Sequence, residues 1–485
     1  MPLVIYNTRT RRKEPFQPLE PGVVRLYVCG ITAYDACHVG HARSAVVFDL
    51  IVRYFCWQGY RVRYVRNFTD VDDKIILRSR AENVPSSVIA ERYIQEYRED
   101  MAALGVLTPE HEPTVSGHMR DIIAMIEVLL KKGYAYQANG DVYFSVEKFP
   151  RYGELSGRQL DEMLSGARVE ANEAKANPLD FALWKGAKPG EPTWESPWGA
   201  GRPGWHIECS AMSHAYLGAH FDIHGGGKDL LFPHHENEVA QSQAASGQPF
   251  VNFWVHNGFV NIQHEKMSKS LGNFLTVRSL LERYHPEVIR LFLISTHYRS
   301  PVDYTEEAMA TAKKNLDYFY TLLQRLDAAA AAAPAASTAP GGAGERQAAA
   351  GEEGESVLRR KFGGAMDNDF NSAAALAALF EASTTLNARL DRGELEGSAA
   401  AAAELREVGG VLGIMQRQPL EYLRWQPALG GARVTEEWVA AQLERRNAAR
   451  RARDYAEADR IRDELQARGI IVEDSKDGTQ WRRSG

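Results

Sequence analysis

Apolar and polar positions follow two different periods over the first seventy residues. Residues 23–29 are nearly all apolar, which predicts a buried strand. Residues 41–57 carry apolar side chains at helical spacing, and residues 61–68 alternate as a second strand. A strand, a helix and a strand in this order predict a parallel, doubly wound sheet, and therefore an α/β fold.

The pattern changes between residues 118 and 200. An amphipathic helix and a short strand come first, and a stretch rich in Pro, Gly and Trp follows. Sheet-like runs resume at 220–224 and 250–260, separated by a helix that is expected to begin at Pro233 and to stop before Gly247. We therefore expect an insertion that splits the sheet into two halves.

The second half of the chain is mainly helical in pattern. Helical spacing extends over 305–326 and 355–415. The Ala/Gly/Pro tract at 328–355 has no large apolar residue, which predicts a linker. The simplest interpretation is an α-helical bundle bridged by this tract.

The last fifty residues predict a small α+β C-terminal module. One long helix is expected over 436–468, with five arginines in its middle and Gly469 as its C-terminal cap. A hairpin is expected over 470–481, turning at Asp477 and Gly478.

Composition excludes several classes of protein. The 485 residues carry a net charge of −6, from 57 basic and 63 acidic residues, so any nucleic-acid contact must be regional. No run of about 18 apolar residues occurs, and the basic residues near the start follow the apolar ones, the reverse of a secretory signal. This predicts a cytoplasmic protein. Four cysteines are too few for a disulfide framework in so long a chain, which favours metal ligation or catalysis.

Two histidines flank a glycine where the first strand and its loop lead into a helix. His38 and His41 share one helix face, and Gly40 allows a ligand to approach the backbone closely. Such a helix N-terminus suits phosphate, and histidines there can donate hydrogen bonds to an α-phosphate. The alternative is an ordinary pair of surface histidines.

A second motif, Lys266, Ser268 and Lys269, lies in a polar segment after a strand-like run. Two lysines aimed alike can neutralise a leaving pyrophosphate. The alternative is a solvated loop. The presence of both motifs, in this order and about 225 residues apart, favours the functional interpretation of each.

A third set of residues has the chemistry of a metal site. Cys29 ends the first strand, Cys209 follows the insertion, and His234 and Glu238 are four apart on one helix face. Thiolate, imidazole and carboxylate together favour zinc. The alternative, equally weighted on spacing alone, is that both cysteines are small core residues.

Longer strings carry a resemblance to a known family. The histidine and lysine motifs match the two signatures of the class I aminoacyl-tRNA synthetases. Four further strings resemble the cysteinyl-tRNA synthetases: YVCG at 27–30, NFTDVDDK at 67–74, GWHIECS at 204–210 and FPHHENE at 232–238. Ile31 and Ala33 stand where that family often has Pro and Val, and Leu77 where it often has Lys. None of the three is at a ligand position.

The resemblance implies a Rossmann-like catalytic domain split by the insertion, followed by the bundle and the C-terminal module at the anticodon end. It implies ATP-dependent activation of L-cysteine and transfer of the cysteinyl group to the 3′ end of tRNA(Cys). One zinc ion per chain on the four residues named above is implied, with Mg²⁺ carried in by ATP. A monomer is expected.

The expected site residues form four groups. The catalytic residues are His38, His41, Lys266 and Lys269, and the ATP-binding residues are these four with Gly40 and Ser268. The zinc ligands are Cys29, Cys209, His234 and Glu238. The residues expected to bind the substrate are Cys29, Thr69, Trp205, His224, Asp229 and His256. The residues expected to contact tRNA are Arg445, Arg446, Arg450, Arg453 and Trp481.

Several neighbours of these motifs have other expected roles. Cys56 is expected in the core. Cys37 is expected to line the site without ligating, and His235 to point away from the metal. The run at 225–228 lacks the spacing of a phosphate-binding loop, so a close approach of backbone to substrate is expected instead.

Asp70, Asp72 and Asp73 follow the second strand and precede a helical run. Their position favours helix capping over a magnesium cluster.

The expected division of the chain follows from these elements. Its parts are a first catalytic half at 1–117, an insertion at 118–200, a second catalytic half at 201–262, a lysine-loop and stem-contact region at 263–310, the bundle at 311–418 and an anticodon-binding module at 419–485. Two alternatives remain: a ligase of this fold that joins cysteine to an amino sugar, and a non-enzymatic zinc protein that binds nucleic acid.

Overall fold

The computed structural model describes residues 2–159, 175–262, 265–266, 275–332, 356–427, 434–475 and 478–483. The elements of the first 150 residues are β1 (Val4–Asn7), β2 (Arg12–Pro15), β3 (Val23–Val28), α1 (Val39–Trp57), β4 (Arg61–Arg66), α2 (Asp73–Glu82), α3 (Ser86–Ala103), α4 (Met119–Lys131), β5 (Ala135–Ala138) and β6 (Asp141–Phe144). The next are β7 (Phe181–Gly186), β8 (Gly201–Pro203), α5 (Trp205–Leu217), β9 (Phe221–Gly227), α6 (Glu236–Ser246), β10 (Val251–Asn257), β11 (Val260–Ile262), β12 (Glu265–Lys266), α7 (Val277–Leu281), α8 (Pro286–Ile294) and β13 (Val302–Tyr304). The last are α9 (Glu306–Ala332), α10 (Val357–Met366), α11 (Ser372–Asp391), α12 (Ser398–Leu412), α13 (Pro419–Leu423), α14 (Glu436–Arg451), α15 (Tyr455–Ala467), β14 (Ile470–Ser475) and β15 (Gly478–Arg483).

The central sheet has the strand order β10-β9-β3-β4, and each neighbouring pair is parallel. It confirms the predicted α/β class. Its strands are covered on both faces, as parallel strands usually are, and Val24, Leu26 and Ile223 are fully buried. Because all four strands run alike, the loops that follow them meet at one edge of the sheet.

The segment between β4 and β9 contains a second sheet. Strands β5, β6, β7 and β8 are antiparallel neighbours in that order. The large side chains Phe144 and Trp184 are buried in one cluster with Phe221 and Trp254 of the central sheet. The predicted insertion therefore packs against the strands that it separates.

The helical region after β13 contains α9 to α13. Leu316 and Phe319 of α9 are buried with Leu379 of α11 and Leu405 of α12, which confirms a packed helical region. Helix α9 continues through residues 328–332, so the linker prediction is wrong there: alanine has the highest helix propensity of all residues. Residues 333–355 lie outside the described residues.

The C-terminal module contains two helices, and the prediction of one helix over 436–468 is wrong. Arg453 has a left-handed backbone with φ of 61°, and Asp454 caps α15 by accepting from the backbone N–H of Glu457. The break lets Val439 of α14 pack with Ile461 of α15. A continuous helix would leave both apolar faces in water.

The end of the module follows the prediction more closely. Gly469, with φ of 74°, follows α15 as expected of a C-terminal cap. Strands β14 and β15 form the predicted antiparallel hairpin. Gly478 pairs with Ser475, so it begins a strand and is not a turn residue.

Helix α6 begins at Glu236, three residues later than expected. Pro233 follows a cis peptide bond with Phe232, whose φ and ψ of −142° and 133° are not helical. Residues 231–235 form a wide helical turn before α6 instead. The turn carries His234 and His235, both buried.

Two of the lesser expectations concern cysteines. Cys37 is buried in the main core. Cys56 is exposed, so the prediction that Cys56 lies in the core is wrong. Cys56 lies on the outer face of α1, whereas Tyr54 and Phe55, which precede it, point inward.

Among the described residues, no helix is long and apolar enough to cross a membrane.

Candidate metal and nucleotide site

A cleft of about 420 Å³ opens at the carboxyl edge of the central sheet. Residues from the ends of β3, β4, β9 and β10 line it, together with the start of α1 and of α5. The lining residues include Cys29, Gly30, Tyr34, His38, Gly40, His41, Arg66, Lys74, Trp205, Gly227, Asp229 and Asn257. The cleft thus lies at the position expected for a ligand of a doubly wound sheet.

His38 and His41 form one unit at the start of α1. His38 is the N-cap, and its Nδ1 accepts from the backbone N–H of Gly40 at 3.1 Å and of His41 at 3.4 Å. His41 Nδ1 in turn accepts from the backbone N–H of His38 at 3.4 Å. The rings stack with centroids 3.5 Å apart. Since both Nδ1 atoms accept, a neutral ring carries its proton on Nε2, which can donate to a ligand.

The four expected metal ligands meet below this cleft. Their ligand atoms, from Cys29, Cys209, His234 and Glu238, lie within 4.8 Å of one another and all four residues are buried. Cys29 Sγ is 3.5 Å from His234 Nε2 and 3.3 Å from Glu238 Oε1. His234 Nε2 is 3.1 Å from Glu238 Oε1, as their spacing of one helical turn predicts.

The electrostatics of this cluster suit a bound cation. Burial raises the pKa of Glu238, but His224 and His234 outweigh it and lower that pKa to about 2. Burial lowers the pKa of His234, but Glu238 and Cys209 outweigh it and raise that pKa to about 10. A hydrogen bond with Cys29 lowers the pKa of Cys209 to about 6. Anionic donors this deeply buried need a positive charge among them.

Glu238 has an imidazole beside each of its carboxylate oxygens. Its Oε2 lies 3.1 Å from His224 Nε2, and its Oε1 lies 3.1 Å from His234 Nε2. Two thiolates, one imidazole and one carboxylate are a donor set that fits zinc.

Further histidines surround the four ligands. His235 Nε2 is 3.9 Å from Glu238 Oε1, and Cys29, His224, His235 and Glu238 form a second group of ligand atoms within 4.8 Å. The expectation that His235 points away is therefore wrong, because the wide turn at 231–235 directs both histidines inward. His235 Nδ1 is hydrogen-bonded to His256 Nε2 at 2.8 Å.

The structure separates the residues expected to bind substrate into two sets. Cys29, Trp205 and Asp229 line the cleft, and the Trp205 ring stacks on His234 with centroids 4.3 Å apart. Thr69, His224 and His256 are buried and are not among the lining residues. Thr69 Oγ1 donates to Glu208 Oε2 at 3.1 Å, and His224 Nε2 lies 3.8 Å from Cys29 Sγ.

Sequence reasoning missed two neighbours of the ligands. Asn67 Oδ1 accepts from the backbone N–H of Gly30 at 2.9 Å and lies 3.7 Å from Cys209 Sγ. A Cβ at Gly30 would be 1.6 Å from the Asn67 carbonyl oxygen, so only glycine fits beside this strand. His206 Nδ1 lies 3.0 Å from His234 Nδ1. The position of His206 one helical turn before Cys209 could have indicated from the sequence that it lies beside the metal ligands.

The remaining expectations near the cleft have mixed outcomes. The run at 225–228 was expected to bring backbone close to the substrate. Gly227 does line the cleft, whereas Gly225 packs against the Phe48 ring of α1. Asp72 caps α2, as expected, by accepting from the backbone N–H of Lys74. Asp73 pairs with Arg202 at 2.5 Å.

The lysine motif is only partly described. Lys266 belongs to β12, which pairs with β11 next to the end of β10. The Lys266 side chain, Ser268 and Lys269 lie outside the described residues.

The tail residues have different surroundings. Arg446 is 6% exposed and pairs with Asp474 at 2.7 Å, and Trp481 belongs to the small core of the module. Arg450 also pairs with Asp474, Arg445 pairs with Glu457, and Arg453 is exposed in the turn between the helices. Arg446 and Trp481 therefore hold the module together, while the other three arginines reach its surface.

Comparison with known families gives three matches along the chain. A family described as the class I (C) tRNA synthetase catalytic domain matches residues 15–314. A DALR domain matches residues 361–416, and a cysteinyl-tRNA ligase anticodon-binding domain matches residues 436–482.

Individual relatives agree with these matches. A cysteine–tRNA ligase of Halorhodospira halophila is 55% identical over 483 residues, 99% of this chain and 100% of the relative. That of Alkalilimnicola ehrlichii is 53% identical, with the same coverage. Among solved structures, Mycobacterium tuberculosis methionyl-tRNA synthetase in complex with methionyl-adenylate has a TM-score of 0.58 at 16% identity, over 80% of this chain and 89% of that one. This last similarity concerns the fold alone.

The cleft, the paired histidines and the full-length relatives point to the same conclusion. The chain belongs to the class I cysteinyl-tRNA synthetases, a family of cysteine–tRNA ligases.

Proposed function

We propose that the cleft activates L-cysteine with ATP and transfers the cysteinyl group to the 3′ end of tRNA(Cys). In the first reaction, a cysteine carboxylate oxygen attacks the α-phosphorus, the bond to the bridging oxygen breaks, and pyrophosphate leaves. In the second, a terminal ribose hydroxyl attacks the acyl carbon and AMP leaves. One observation carries the proposal: a helix N-terminus with two histidines opens onto the same cleft as a buried Cys/Cys/His/Glu cluster.

His38, Gly40 and His41 hold the ATP phosphates in this proposal. The rings are locked by their mutual hydrogen bonds, so their Nε2 donors need no reorganisation when charge builds on the α-phosphate. Lys266, Ser268 and Lys269 are assigned to the pyrophosphate. Mg²⁺ enters with ATP and is held mainly by its phosphates.

Cys29, Cys209, His234 and Glu238 would hold one zinc ion per chain. Zinc bound there would supply a Lewis acid that prefers a thiolate to a hydroxyl. His206 would fix the orientation of the His234 ring through its Nδ1, and Asn67 would fix the backbone beside Cys29. These contacts support selection of cysteine over serine at the metal. Glu238 would be the ligand that loosens most readily, because a substrate thiolate would add a second negative charge beside the ion.

The remaining expected substrate residues are assigned by their positions. Trp205 and Asp229 would contact the substrate directly, because they line the cleft. Thr69, His224 and His256 would act from behind the ligands, because they are buried beneath the cleft surface.

The domain division follows the elements. Residues 1–117 and 201–262 would form the catalytic domain and 118–200 the insertion. Residues 263–310 would form the lysine-loop region, 311–418 the bundle and 419–485 the anticodon module. The exposed arginines Arg445, Arg450 and Arg453 would contact tRNA phosphates. Arg446 and Trp481 would support them from inside the module. We place the enzyme in the cytoplasm as a monomer.

Two assays test the function. Exchange of labelled pyrophosphate into ATP should depend on cysteine and should be much weaker with serine at equal concentration. Charging of total tRNA with labelled cysteine should follow, and cysteine should be recovered from tRNA(Cys) alone. Exchange that is independent of cysteine, or transfer of cysteine to an amino sugar in place of tRNA, would refute the proposal.

A further inference from the structure

The segment that precedes α7 is paired with the histidine motif. The backbone N–H of Val39 donates to the Leu275 carbonyl at 3.0 Å, and the backbone N–H of Val277 donates to the Cys37 carbonyl at 2.9 Å. These two bonds flank His38, which lies opposite Thr276 in an antiparallel bridge. Any displacement of residues 275–277 therefore moves the N-cap of α1.

Arg278 fastens the same segment to another helix. Its Nε lies 3.1 Å from Asp100 Oδ1, and its second guanidinium nitrogen lies 2.8 Å from Glu99 Oε2. Asp100 is 3% exposed and belongs to α3, whereas Glu99 is exposed. The Arg278 side chain is 46% exposed, but Asp100 is buried and Glu99 is not, so the contact with Asp100 is the less screened of the two and the stronger restraint on Arg278.

These contacts form a continuous path from α3 to the candidate catalytic residues. Asp100 holds Arg278 in the first turn of α7, and the segment before α7 holds the backbone on both sides of His38. The rings of His38 and His41 depend on that backbone, because the backbone N–H groups of His38, Gly40 and His41 make their hydrogen bonds.

We propose that Arg278, held by Asp100, is a positioning residue for the His38 and His41 pair. It does not line the cleft, so it acts on the reaction only through the backbone at 37–39. The inference rests on the proposed role of the two histidines in adenylate formation. A displacement well below 1 Å at such donors weakens their bonds to a transition state and leaves substrate binding nearly intact.

The test compares Arg278→Met with Arg283→Met in the full-length enzyme. Arg283 closes the same short helical segment and pairs with Glu306 on the surface, which makes it a matched control. Arg278→Met should lower the single-turnover rate of adenylate formation about tenfold, change the Kd for cysteine less than twofold and keep the zinc content. Arg283→Met should leave all three near wild type. Arg278→Lys should be intermediate, because lysine keeps the charge but lacks the planar guanidinium that holds both carboxylates in a fixed geometry.

Two further variants separate positioning from general stability. Asp100→Asn should reproduce the rate loss, and it provides the test if Arg278→Met does not fold. In a His41→Ala background, Arg278→Met should lower the rate of adenylate formation little further, because both changes act through the same pair of histidines. An unchanged rate in Arg278→Met, an equal loss in Arg283→Met, or full additivity with His41→Ala would overturn the inference. A wild-type enzyme without cysteine-dependent exchange would instead refute the proposed function.

Discussion

In the proposed function, selectivity for cysteine would be decided at the scale of single ligand atoms. Cysteine and serine differ by one atom of similar shape, and packing alone rejects such a near-isostere by only about a hundredfold. Cys29 in the wall of the cleft belongs to a cluster of two thiols, an imidazole and a carboxylate whose ligand atoms lie within 4.8 Å of one another. The difference in affinity of a metal for sulfur and for oxygen can supply the discrimination that packing cannot.

Replacing one ligand tests this explanation. Cys209→Ser should raise the Kd for cysteine by about a hundredfold or more and change the Kd for serine less than twofold, because only the thiolate gains from zinc. Equilibrium dialysis with both amino acids measures the two constants, and removal of zinc by a chelator should have the same effect. Circular dichroism and metal content serve as controls. Equal weakening of both amino acids would show that the metal is structural.

A second residue-scale prediction concerns stability against pH. His285 is 8% exposed, and its Nδ1 accepts from the backbone N–H of Glu287 at the start of α8. Burial, with Arg417 and Lys313 nearby, lowers the pKa of His285 to about 4. The unfolded chain therefore takes up this proton near pH 6.5 and the folded chain only near pH 4. This contribution to stability is complete above pH 6.5 and is lost as the pH falls to 4.

His285→Asn keeps a capping acceptor and removes the titration. The free energy of unfolding of the wild type should fall relative to the variant by up to about 3 kcal/mol between pH 6.5 and 4. Urea denaturation at a series of pH values measures the difference. Parallel pH profiles for the two proteins would contradict the assigned pKa.

At the scale of elements, one buried ion pair joins α1 to α8, and a hydrogen bond from the same arginine reaches the helical region. Arg290 of α8 and Asp49 of α1 are both fully buried and in direct contact. Arg290 Nε also donates to the Leu412 carbonyl at the end of α12 at 2.7 Å, and Asp49 Oδ1 accepts from the backbone N–H of Leu107 at 2.8 Å. The pair thus fixes how α1, α8 and α12 meet.

Removal of Arg290 leaves the Asp49 carboxylate buried with Arg53, 2.7 Å away, as its remaining cation. Arg290→Met should lower the free energy of unfolding by about 3 to 5 kcal/mol, and Asp49→Asn combined with it should restore part of the loss. Chemical denaturation followed by tryptophan fluorescence measures both. Arg359→Gln, which breaks a surface pair with Glu407, is the control and should cost less than about 1 kcal/mol. A loss of stability in Arg290→Met as small as that in Arg359→Gln would show that the buried pair contributes little to the free energy of unfolding.

At the scale of the whole molecule, the C-terminal module has its own core. Val439, Leu443, Ile461, Leu465 and Trp481 form a cluster separate from the two larger ones. Its contacts with the helical region include Gln324 with Gln480 at 2.7 Å and Arg483 with the Arg424 carbonyl at 3.0 Å. Both of these contacts are hydrogen bonds, unlike the apolar packing within a shared core. The module should therefore be separable from the adenylation reaction.

Deletion of residues 436–485 should weaken tRNA charging at least tenfold and change pyrophosphate exchange less than twofold. The binding that is lost should depend on salt, because contacts between arginine and phosphate release counterions. Charging kinetics at several salt concentrations, with exchange measured on the same preparation, provide the test. If exchange falls as far as charging, the module is needed for the fold of the catalytic domain.

Local pattern and chemistry determined much of this protein. The parallel strands were predictable because a strand buried on both faces is apolar throughout. The spacing of His38 and His41 and of the four ligands allowed both a functional and a structural interpretation, and the resemblance to a known family decided between them. The helix break at Arg453, which the sequence analysis missed, also has a local cause. Asp454 is a good N-cap residue, but the surrounding charged residues continue a helical pattern.

Only the tertiary structure decided which distant residues support the site. Asp49 and Arg290 are 241 positions apart, and Asp100 and Arg278 are 178 apart. Neither pair has a signal in local periodicity, because the spacing of residues along one element does not show which distant charge a side chain will meet. The inward turn of His235 depends likewise on the backbone at 231–235, which no spacing rule predicts. Hydrophobic periodicity specifies which face of an element is buried, whereas the partner it meets depends on how the elements pack.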